Sequence, residues 1–400
     1  MYYNFFFSFN SGCKSTGGRR ADGGAYPGAA PGGARREAEG RRRGAADDLC
    51  LERRYRGGRR RDRRNADHAG PCNRIGKRRE KPVEIVVLGQ VSVDTCPSPT
   101  VETTLRGGDE NAELLFEYCS ASDGAYNISL ADALTIDDIK FNCNYTDYFF
   151  SRYYGTYTIV ANGYPLVIAS GVQCSYYTAD TIVDGKTCST SSCYVIGGGL
   201  DEDITGGTHV EIYTSLPLTY VYGGGVNGSV ESNVYLHIEN CGKIQHVRAG
   251  GYANKKDAKV NGNITLDFIN SVTDNPIYGG GYARSSYSAE VTGSICINLS
   301  GLNNGFGRPI YGGGYGKNAP VVGNIRFNIS NTKMNNNAAA IYGGGYNSDV
   351  TGDIFIHIKE NSLISEETVW GGGTGDSTIT GGVTITVDDS TEVIGEIHAG

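Results

Sequence analysis

The chain has 400 residues, with 59 glycines, 27 tyrosines and one tryptophan, and a formal net charge of −7. So much glycine argues against a helical bundle, because glycine destabilises helix interiors, and the absence of a strict glycine-every-third pattern excludes collagen. No apolar run is long enough for a transmembrane helix. The charge is unevenly distributed: residues 1–82 hold 21 basic and 9 acidic residues, and residues 83–400 hold 15 basic and 34 acidic residues.

The first 82 residues are rich in Arg, Gly and Ala, with arginine blocks at 41–43 and 59–61. Such a composition buries too little apolar surface to offset the entropy of ordering, so it predicts disorder. A basic arm for RNA or another polyanion is one interpretation, but aromatic stacking residues are sparse, which makes nucleic acid a weak candidate partner. The abrupt change of composition at Pro82-Val83 also fits a segment that is not native to the protein. No signal peptide is predicted at the N-terminus, which lacks a basic n-region.

Internal repetition dominates the rest of the chain. A glycine triplet recurs at steps of 26 to 33 residues, usually between two aromatic residues. A segment follows in which apolar residues alternate with others, as Ile325, Phe327 and Ile329 do, and this alternation places the apolar side chains on one face of a strand. The triplets start at Gly197, Gly223, Gly279, Gly312, Gly343 and Gly371, with a variant at Ala249-Gly250-Gly251 and a partial copy at Ala399-Gly400.

Each repeat therefore contains at least two short strands and two turns, and it can bury its apolar face only against neighbouring repeats. We expect an all-β fold, a parallel β-helix (β-solenoid) with about 26–33 residues per coil. A β-propeller is the alternative, but its blades need roughly 40 residues or more. The β-helix is predicted over residues 128–400, after an N-terminal cap at 83–127 that shields the first open edge. A monomer is expected, and the end of the chain inside a repeat suggests a fragment of a longer protein.

The IYGGGY-type triplet followed by V-x-G-[DNS]-I-x-[IFL]-x-[IFL] resembles the repeat arrays of large extracellular proteins of gut-type Firmicutes, broadly the pectate-lyase-like β-helix group. The matching positions are 277–282 with 291–299 and 341–346 with 350–358. The resemblance covers roughly residues 128–400 and implies an extracellular or cell-surface location, although no export signal is visible in this sequence. It does not select an activity, because some members are adhesins or stalks and others cleave polysaccharides.

The outward positions of the alternating strand show no uniform column when the repeats are aligned by sequence. In that alignment Glu211 falls beside Tyr235, and Tyr213 falls beside His237 and Asp267. A lyase needs clustered carboxylates and a base, and we predict no compact cluster on this face and no catalytic residue. The motifs of zinc enzymes and serine hydrolases are absent.

One acidic run stands beside the first glycine triplet. Asp201, Glu202 and Asp203 offer oxygen ligands of the kind that calcium prefers, although the spacing of an EF-hand is missing. A plain acidic turn is the alternative. Calcium is the one cofactor that the sequence suggests.

The aromatic residues beside the triplets are the strongest candidate for ligand binding. Stacked in successive coils, they predict two rows that flank a glycine groove and present flat, hydroxyl-rimmed faces suited to sugar rings. Structural stacking between strands is the alternative. The candidate ligand-binding residues are Tyr278, Tyr282, Tyr311, Tyr315, Tyr342, Tyr346 and Trp370.

These observations predict an extracellular surface protein with an adhesin-like or structural role, whose tyrosine-lined face binds a glycan or another host or cell-surface component. The alternative is a polysaccharide lyase or glycoside hydrolase on a β-helix scaffold, with catalytic loops that carry no recognisable motif.

Overall fold

All residues that the computed structural model describes belong to one compact unit within residues 76–400. The predicted disordered segment lies outside these residues, apart from its last two positions. The described ranges are 81–93, 98–117, 126–144, 156–174, 182–183, 186–187, 192–242, 244–302, 307–334, 340–364, 369–389, 391–393 and 397–399.

Within these ranges the chain forms short β-strands and no helix. The first sixteen strands are β1 (Val83–Val87), β2 (Gln90–Val93), β3 (Thr103–Gly107), β4 (Glu113–Glu117), β5 (Tyr126–Ser129), β6 (Leu134–Asp137), β7 (Lys140–Asn144), β8 (Thr156–Val160), β9 (Leu166–Ile168), β10 (Gln173–Cys174), β11 (Ile182–Val183), β12 (Lys186–Thr187), β13 (Ser192–Ile196), β14 (Thr208–Ile212), β15 (Leu218–Tyr222) and β16 (Val234–Glu239).

The later strands repeat a long strand and one or more short ones. They are β17 (Ile244–Arg248), β18 (Tyr252–Ala253), β19 (Ile264–Ile269), β20 (Ile277–Tyr278), β21 (Tyr282–Ala283), β22 (Ile295–Ser300), β23 (Ile310–Tyr311), β24 (Ile325–Ser330), β25 (Lys333–Met334), β26 (Ile341–Tyr342), β27 (Ile354–Lys359), β28 (Leu363–Ile364), β29 (Val369–Trp370), β30 (Val383–Val387), β31 (Glu392–Val393) and β32 (Ile397–His398).

Two long sheets run along the molecule, and both are parallel. Sheet I has eleven strands in the order β1-β3-β6-β9-β14-β16-β19-β22-β24-β27-β30, and sheet II has ten in the order β32-β29-β26-β23-β20-β17-β15-β13-β8-β5. Neighbours within each sheet come from successive coils. Smaller sheets of two to four strands are also present, and the pair β11–β12 is antiparallel. This topology is a β-solenoid, which confirms the predicted fold class.

The apolar core consists of columns in which equivalent positions of successive coils lie on top of each other. Ile264 pairs with Ile295, which pairs with Ile325 and then with Ile354. All four are at most 1% exposed. Each fully buried aliphatic side chain of this size contributes about 1.5–3 kcal/mol relative to an exposed one, so the column explains why a single repeat needs its neighbours.

The corner after the long strand of sheet I requires a left-handed backbone. Asn240, Asn270 and Asn331 occupy this corner in three coils with φ of 57°, 43° and 48°, and Gly301 occupies it in another with φ of 68°. Asparagine and glycine adopt this conformation at low cost. The repeated asparagines are therefore explained by backbone geometry.

The glycine triplets allow the backbones of successive coils to approach each other closely. A Cβ added to Gly280 would lie 2.8 Å from the backbone nitrogen of Gly314, and one added to Gly313 would lie 2.8 Å from that of Gly345. Neither residue has positive φ. The central glycines therefore permit a close approach of the backbones of successive coils.

The solenoid pairing begins earlier than the predicted boundary at residue 128. Strand β1 pairs in parallel with β3 over five residues, from Val83 with Thr103 to Val87 with Gly107. Strands β1 and β3 thus belong to sheet I, as part of the same parallel ladder as the strands of the later coils. The described residues form no helix of the length and apolarity that a membrane span requires.

Candidate functional site

The aromatic residues before the glycine triplets form one continuous stack on sheet II, here called the first aromatic row. Pairing places them in register on successive coils. Their planes are within 13° of parallel, with centroid separations of 5.2, 4.9, 6.4 and 3.9 Å. The members are Tyr278, Tyr311, Tyr342, Trp370 and His398.

The aromatic residues after the triplets form the second aromatic row. Tyr282 stacks on Tyr315 at 4.2 Å, and Tyr315 stacks on Tyr346 at 5.2 Å, both with planes 7° apart. Tyr252 begins this row with an edge contact to Tyr282 at 5.8 Å. All seven candidate aromatic residues from the sequence analysis therefore lie in two ordered rows.

The two rows contact each other above the glycines. Tyr278 meets Tyr282 and Tyr315 edge to face at 5.5 Å, and Tyr311 meets Tyr346 in the same way at 5.9 Å. Tyr278 and Tyr282 thus lie on the same face, and these contacts close the glycine groove that the sequence predicted between the rows.

Burial divides the rows into a packed part and an accessible part. Tyr278, Tyr282 and Tyr311 are buried, with exposed fractions of 8%, 6% and 6%. Burial raises the pKa of all three hydroxyls, so they stay protonated at neutral pH. The residues that retain partial exposure are Tyr315, Tyr342, Tyr346 and Trp370.

The outer face of sheet I carries a polar cluster that the sequence analysis did not predict, here called the carboxylate–histidine cluster. It comprises His209, Glu211 and Tyr213 from one coil, Tyr235, His237 and Glu239 from the next, and Asp267 and Asn298 from the following two. The expectation of no compact cluster on this face is wrong. Pairing places Glu211 beside His237 and His237 beside Asp267, whereas the sequence alignment had placed Glu211 beside Tyr235.

Asp267 is the most heavily hydrogen-bonded member of the cluster. Its Oδ2 accepts from the Tyr235 hydroxyl at 2.9 Å and lies 3.3 Å from Nδ1 of His237, and its Oδ1 accepts from Nδ2 of Asn298 at 2.6 Å. Burial opposes ionisation, but these donors prevail and the pKa of Asp267 falls below its ordinary value. The carboxylate therefore remains charged at neutral pH.

His237 lies between two carboxylates, because its Nε2 is also 3.1 Å from Oε2 of Glu239. The hydrogen bond to Asp267 is the main cause that raises the pKa of His237, against the effect of burial. Glu211 accepts from the Tyr213 hydroxyl at 2.9 Å and lies 2.7 Å from Nε2 of His209. These contacts lower the pKa of Glu211 although burial works against them. The cluster thus combines two ionised carboxylates with an imidazole that favours its protonated form.

The acidic run next to the first triplet is exposed and already has protein partners. Asp201 accepts from Nδ2 of Asn227 at 2.8 Å. Asp203 accepts from the backbone N–H of Ser229 at 2.8 Å and pairs with Nζ of Lys256 at 3.1 Å. These contacts support the alternative interpretation of the acidic run, a turn whose carboxylates bind other residues of the protein. Across the part of the chain that the structure describes, no group of three or more His, Cys, Asp or Glu side chains is arranged to hold a metal ion.

A buried arginine occupies the equivalent position in the coil before the first aromatic row. Arg248 occupies the paired position between Tyr222 and Tyr278, and four tyrosine rings surround its guanidinium. The variant triplet after Arg248 was apparent from the sequence, but the replacement of the preceding aromatic residue by Arg248 was not predicted. Alignment of the positions before each triplet would have revealed this substitution.

Comparison with family models, with curated proteins and with solved structures found no match. The likeness to extracellular β-helix arrays accordingly rests on the repeat motif and the solenoid fold of this chain.

Proposed function

We propose that this protein is an adhesin-like β-helix of the cell surface or extracellular space that binds a glycan along its aromatic rows. The observation that carries the proposal is the partial exposure of Tyr342 and Trp370, whose rings stack in parallel in the first row. Sugar rings present apolar C–H faces that pack on aromatic rings, and hydroxyl edges that hydrogen-bond with polar rims.

The repetition of the row supports a polymeric ligand. Successive rings are separated by about one strand spacing, roughly 4.8 Å, so that one extended chain can contact several coils at once. Contacts that are weak singly then combine into higher overall affinity. The resemblance of the repeat motif to surface-exposed β-helix arrays supports the extracellular location, and a purely structural stalk is the outcome that remains if no ligand binds.

The test is co-elution of the full chain with a panel of neutral and acidic polysaccharides in size-exclusion chromatography. Trp370→Ala and Tyr342→Ala should weaken co-elution with at least one polymer that the parent chain binds. Tyr287→Ala is the matched control, because this tyrosine is 42% exposed and lies outside both rows. Unchanged co-elution in the Trp370 and Tyr342 variants would show that the aromatic rows have only a structural role.

A second candidate function, cleavage of a polysaccharide, is favoured by the carboxylate–histidine cluster. General acid–base catalysis needs a proton donor and an acceptor within reach of one bond. His237 has the raised pKa of a donor, and Glu211, in the neighbouring coil, is the ionised acceptor. Asp267 would orient His237 and stabilise its charge.

This second candidate is tested by polymer length after incubation with the full chain. Shortening that is lost in His237→Gln would support it. His357→Gln is the matched control, since His357 lies in the same outward column and pairs with Asp388 at 2.8 Å. Polymer of unchanged length with every substrate would exclude the cleavage function for those substrates and leave the binding proposal intact.

A further inference from the structure

The guanidinium of Arg248 lies inside a cage of tyrosine rings, here called the arginine cage. Its Cζ is 3.6 Å from the centroid of Tyr282, and 5.0, 5.2 and 5.3 Å from three others. Ring faces attract cations, most strongly where water is excluded. The three other rings are those of Tyr252, Tyr220 and Tyr222.

The cage leaves Arg248 incompletely satisfied. The residue is 6% exposed, Nη1 donates to the Tyr222 hydroxyl at 3.0 Å, and the buried Nε has no hydrogen-bond partner. Among the described residues, no carboxylate forms an ion pair with it. A buried charge without a counter-charge is costly, and ring faces attract the cation without neutralising it. A bound anion would accept a hydrogen bond from the unpaired N–H of Arg248 and would neutralise its positive charge.

A second arginine lies beside the same ring. Arg284 is exposed, and its Cζ is 5.8 Å from the Tyr282 centroid. Like Arg248, it has no ion-pair partner within the described ranges. Two guanidinium groups thus meet at Tyr282 on a solenoid whose residues 83–400 hold 15 basic and 34 acidic residues.

The neighbouring histidine does not add to this charge. His246 stacks on Tyr220 at 4.5 Å. Burial, helped by Arg248 and Arg284, lowers the pKa of His246 to about 4, with Asp274 acting in the opposite direction. His246 is therefore neutral at neutral pH, and the local positive charge comes from the two arginines.

We propose that Arg248, Arg284 and the Tyr282 hydroxyl form a binding site for an oxyanion, a carboxylate or sulfate group carried by an acidic glycan. Planar guanidinium groups bind both anions through paired, charge-assisted hydrogen bonds. The glycan part of this inference rests on the proposed function, and it adds a specificity: the aromatic rows supply contact with sugar faces, and the arginine cage selects chains that carry acidic groups. The acidic remainder of the solenoid repels polyanions that lack a group placed at the cage.

The main experiment is calorimetric titration of the full chain with oligogalacturonate, its fully methyl-esterified form and a sulfated oligosaccharide of equal length. The acid or the sulfate ester should bind at least about 10-fold more tightly than the neutral ester, the size expected for one charge-assisted hydrogen bond. The difference should shrink as salt concentration rises. The two anionic ligands distinguish a carboxylate site from a sulfate site.

Variants of exposed arginines separate this site from general charge effects. Arg284→Gln should lose about 10-fold in affinity for the anionic ligand and leave affinity for the neutral ester unchanged. Arg326→Gln is the matched control, because its exposed guanidinium lies over an aromatic ring in the same way, 4.9 Å from the Phe355 centroid. Arg284 is used because its side chain is exposed, whereas replacement of buried Arg248 can also impair folding.

A titration with inorganic sulfate, followed through the Nε–Hε NMR signal of Arg248, makes failure of the two proposals distinguishable. A sulfate-dependent shift of this signal without binding of any oligosaccharide would uphold the oxyanion site and overturn the glycan assignment. Equal affinity for acid and ester, with an unmoved Arg248 signal, would overturn the oxyanion site while the aromatic rows kept their proposed role.

Discussion

The ring of Tyr278 stacks on the ring of Tyr311 with centroids 5.2 Å apart and planes 6° apart. Backbone pairing sets this geometry, because the two residues are directly opposite each other on adjacent strands. Neither side chain is more than 8% exposed. The stack is therefore an apolar layer outside the central core, and its removal should affect folding as removal of a core residue does.

Replacement of Tyr278 by alanine should lower the free energy of unfolding by about 3 kcal/mol, a value typical of a large aromatic residue removed from a packed site. Tyr278→Phe keeps the ring and should cost much less. Urea unfolding followed by circular dichroism measures both. Equal stability of the alanine and phenylalanine variants would show that the stack contributes little.

Substitution in a glycine triplet should destabilise the coil through backbone contact. In Gly313→Ala the new methyl group would meet the backbone of Gly345 at 2.8 Å, and overpacking of this kind costs about 1–3 kcal/mol. Gly206→Ala is the control, because an added Cβ has nothing within 4 Å and alanine there should change stability by less than about 1 kcal/mol. The urea midpoint of Gly313→Ala should therefore be lower than that of Gly206→Ala.

Protonation of His237 should make stability depend on pH. Its folded-state pKa is raised by the hydrogen bond to Asp267, so the contribution is fully present below the ordinary histidine pKa of about 6.5. It is lost as pH rises through the raised value. Unfolding free energies of the parent chain should fall with pH up to about 9, measured from above about pH 7 because the lowered pKa of His246 makes stability rise with pH below that point.

His237→Gln provides the control for that pH dependence, because glutamine does not titrate. The fall in stability over the same window should become smaller in this variant. An NMR titration of the His237 ring gives the folded-state pKa directly, and a value at or below that of an unperturbed histidine would contradict the prediction.

Trp370 is the one tryptophan of the chain, so intrinsic fluorescence reports on the proposed glycan surface. A bound glycan should shift the Trp370 emission to shorter wavelength and protect it from a collisional quencher, because a sugar ring would replace water at its partly exposed face. The measurement is a fluorescence titration with a polymer that co-elutes with the chain. Unchanged emission at saturation would place the bound polymer away from the first aromatic row.

The alternating pattern was sufficient to predict the long sheet and its core. Ile325, Phe327 and Ile329 point inward and are fully buried, as their spacing indicated. Alternation is a local property of the strand and follows from side-chain geometry alone. The two aromatic rows were predictable for the same reason, because their position is constant relative to the glycine triplet.

The carboxylate–histidine cluster could not be predicted, because its register depends on a polar residue at an inward position. Thr208 pairs with Val234 and is buried, and its hydroxyl donates to the Gly223 carbonyl at 2.9 Å. An alignment that matches apolar residues places Val210 opposite Val234 and shifts this coil by two residues. Contacts that join different coils, such as the cage around Arg248, likewise depend on which rings the solenoid stacks and not on neighbours in sequence.

Differences in repeat length leave the ladder of sheet I intact. The triplets at Gly279 and Gly312 are 33 residues apart and those at Gly343 and Gly371 are 28 apart, yet the long strands between Ile295 and Lys359 keep the same register. Extra residues are therefore accommodated in the connecting loops. Duplication or loss of a whole repeat would lengthen or shorten the molecule without disturbing its pairing, whereas one residue inserted inside a long strand would turn its apolar side chains outward. Such a protein can change its length in evolution by recombination between its own repeats.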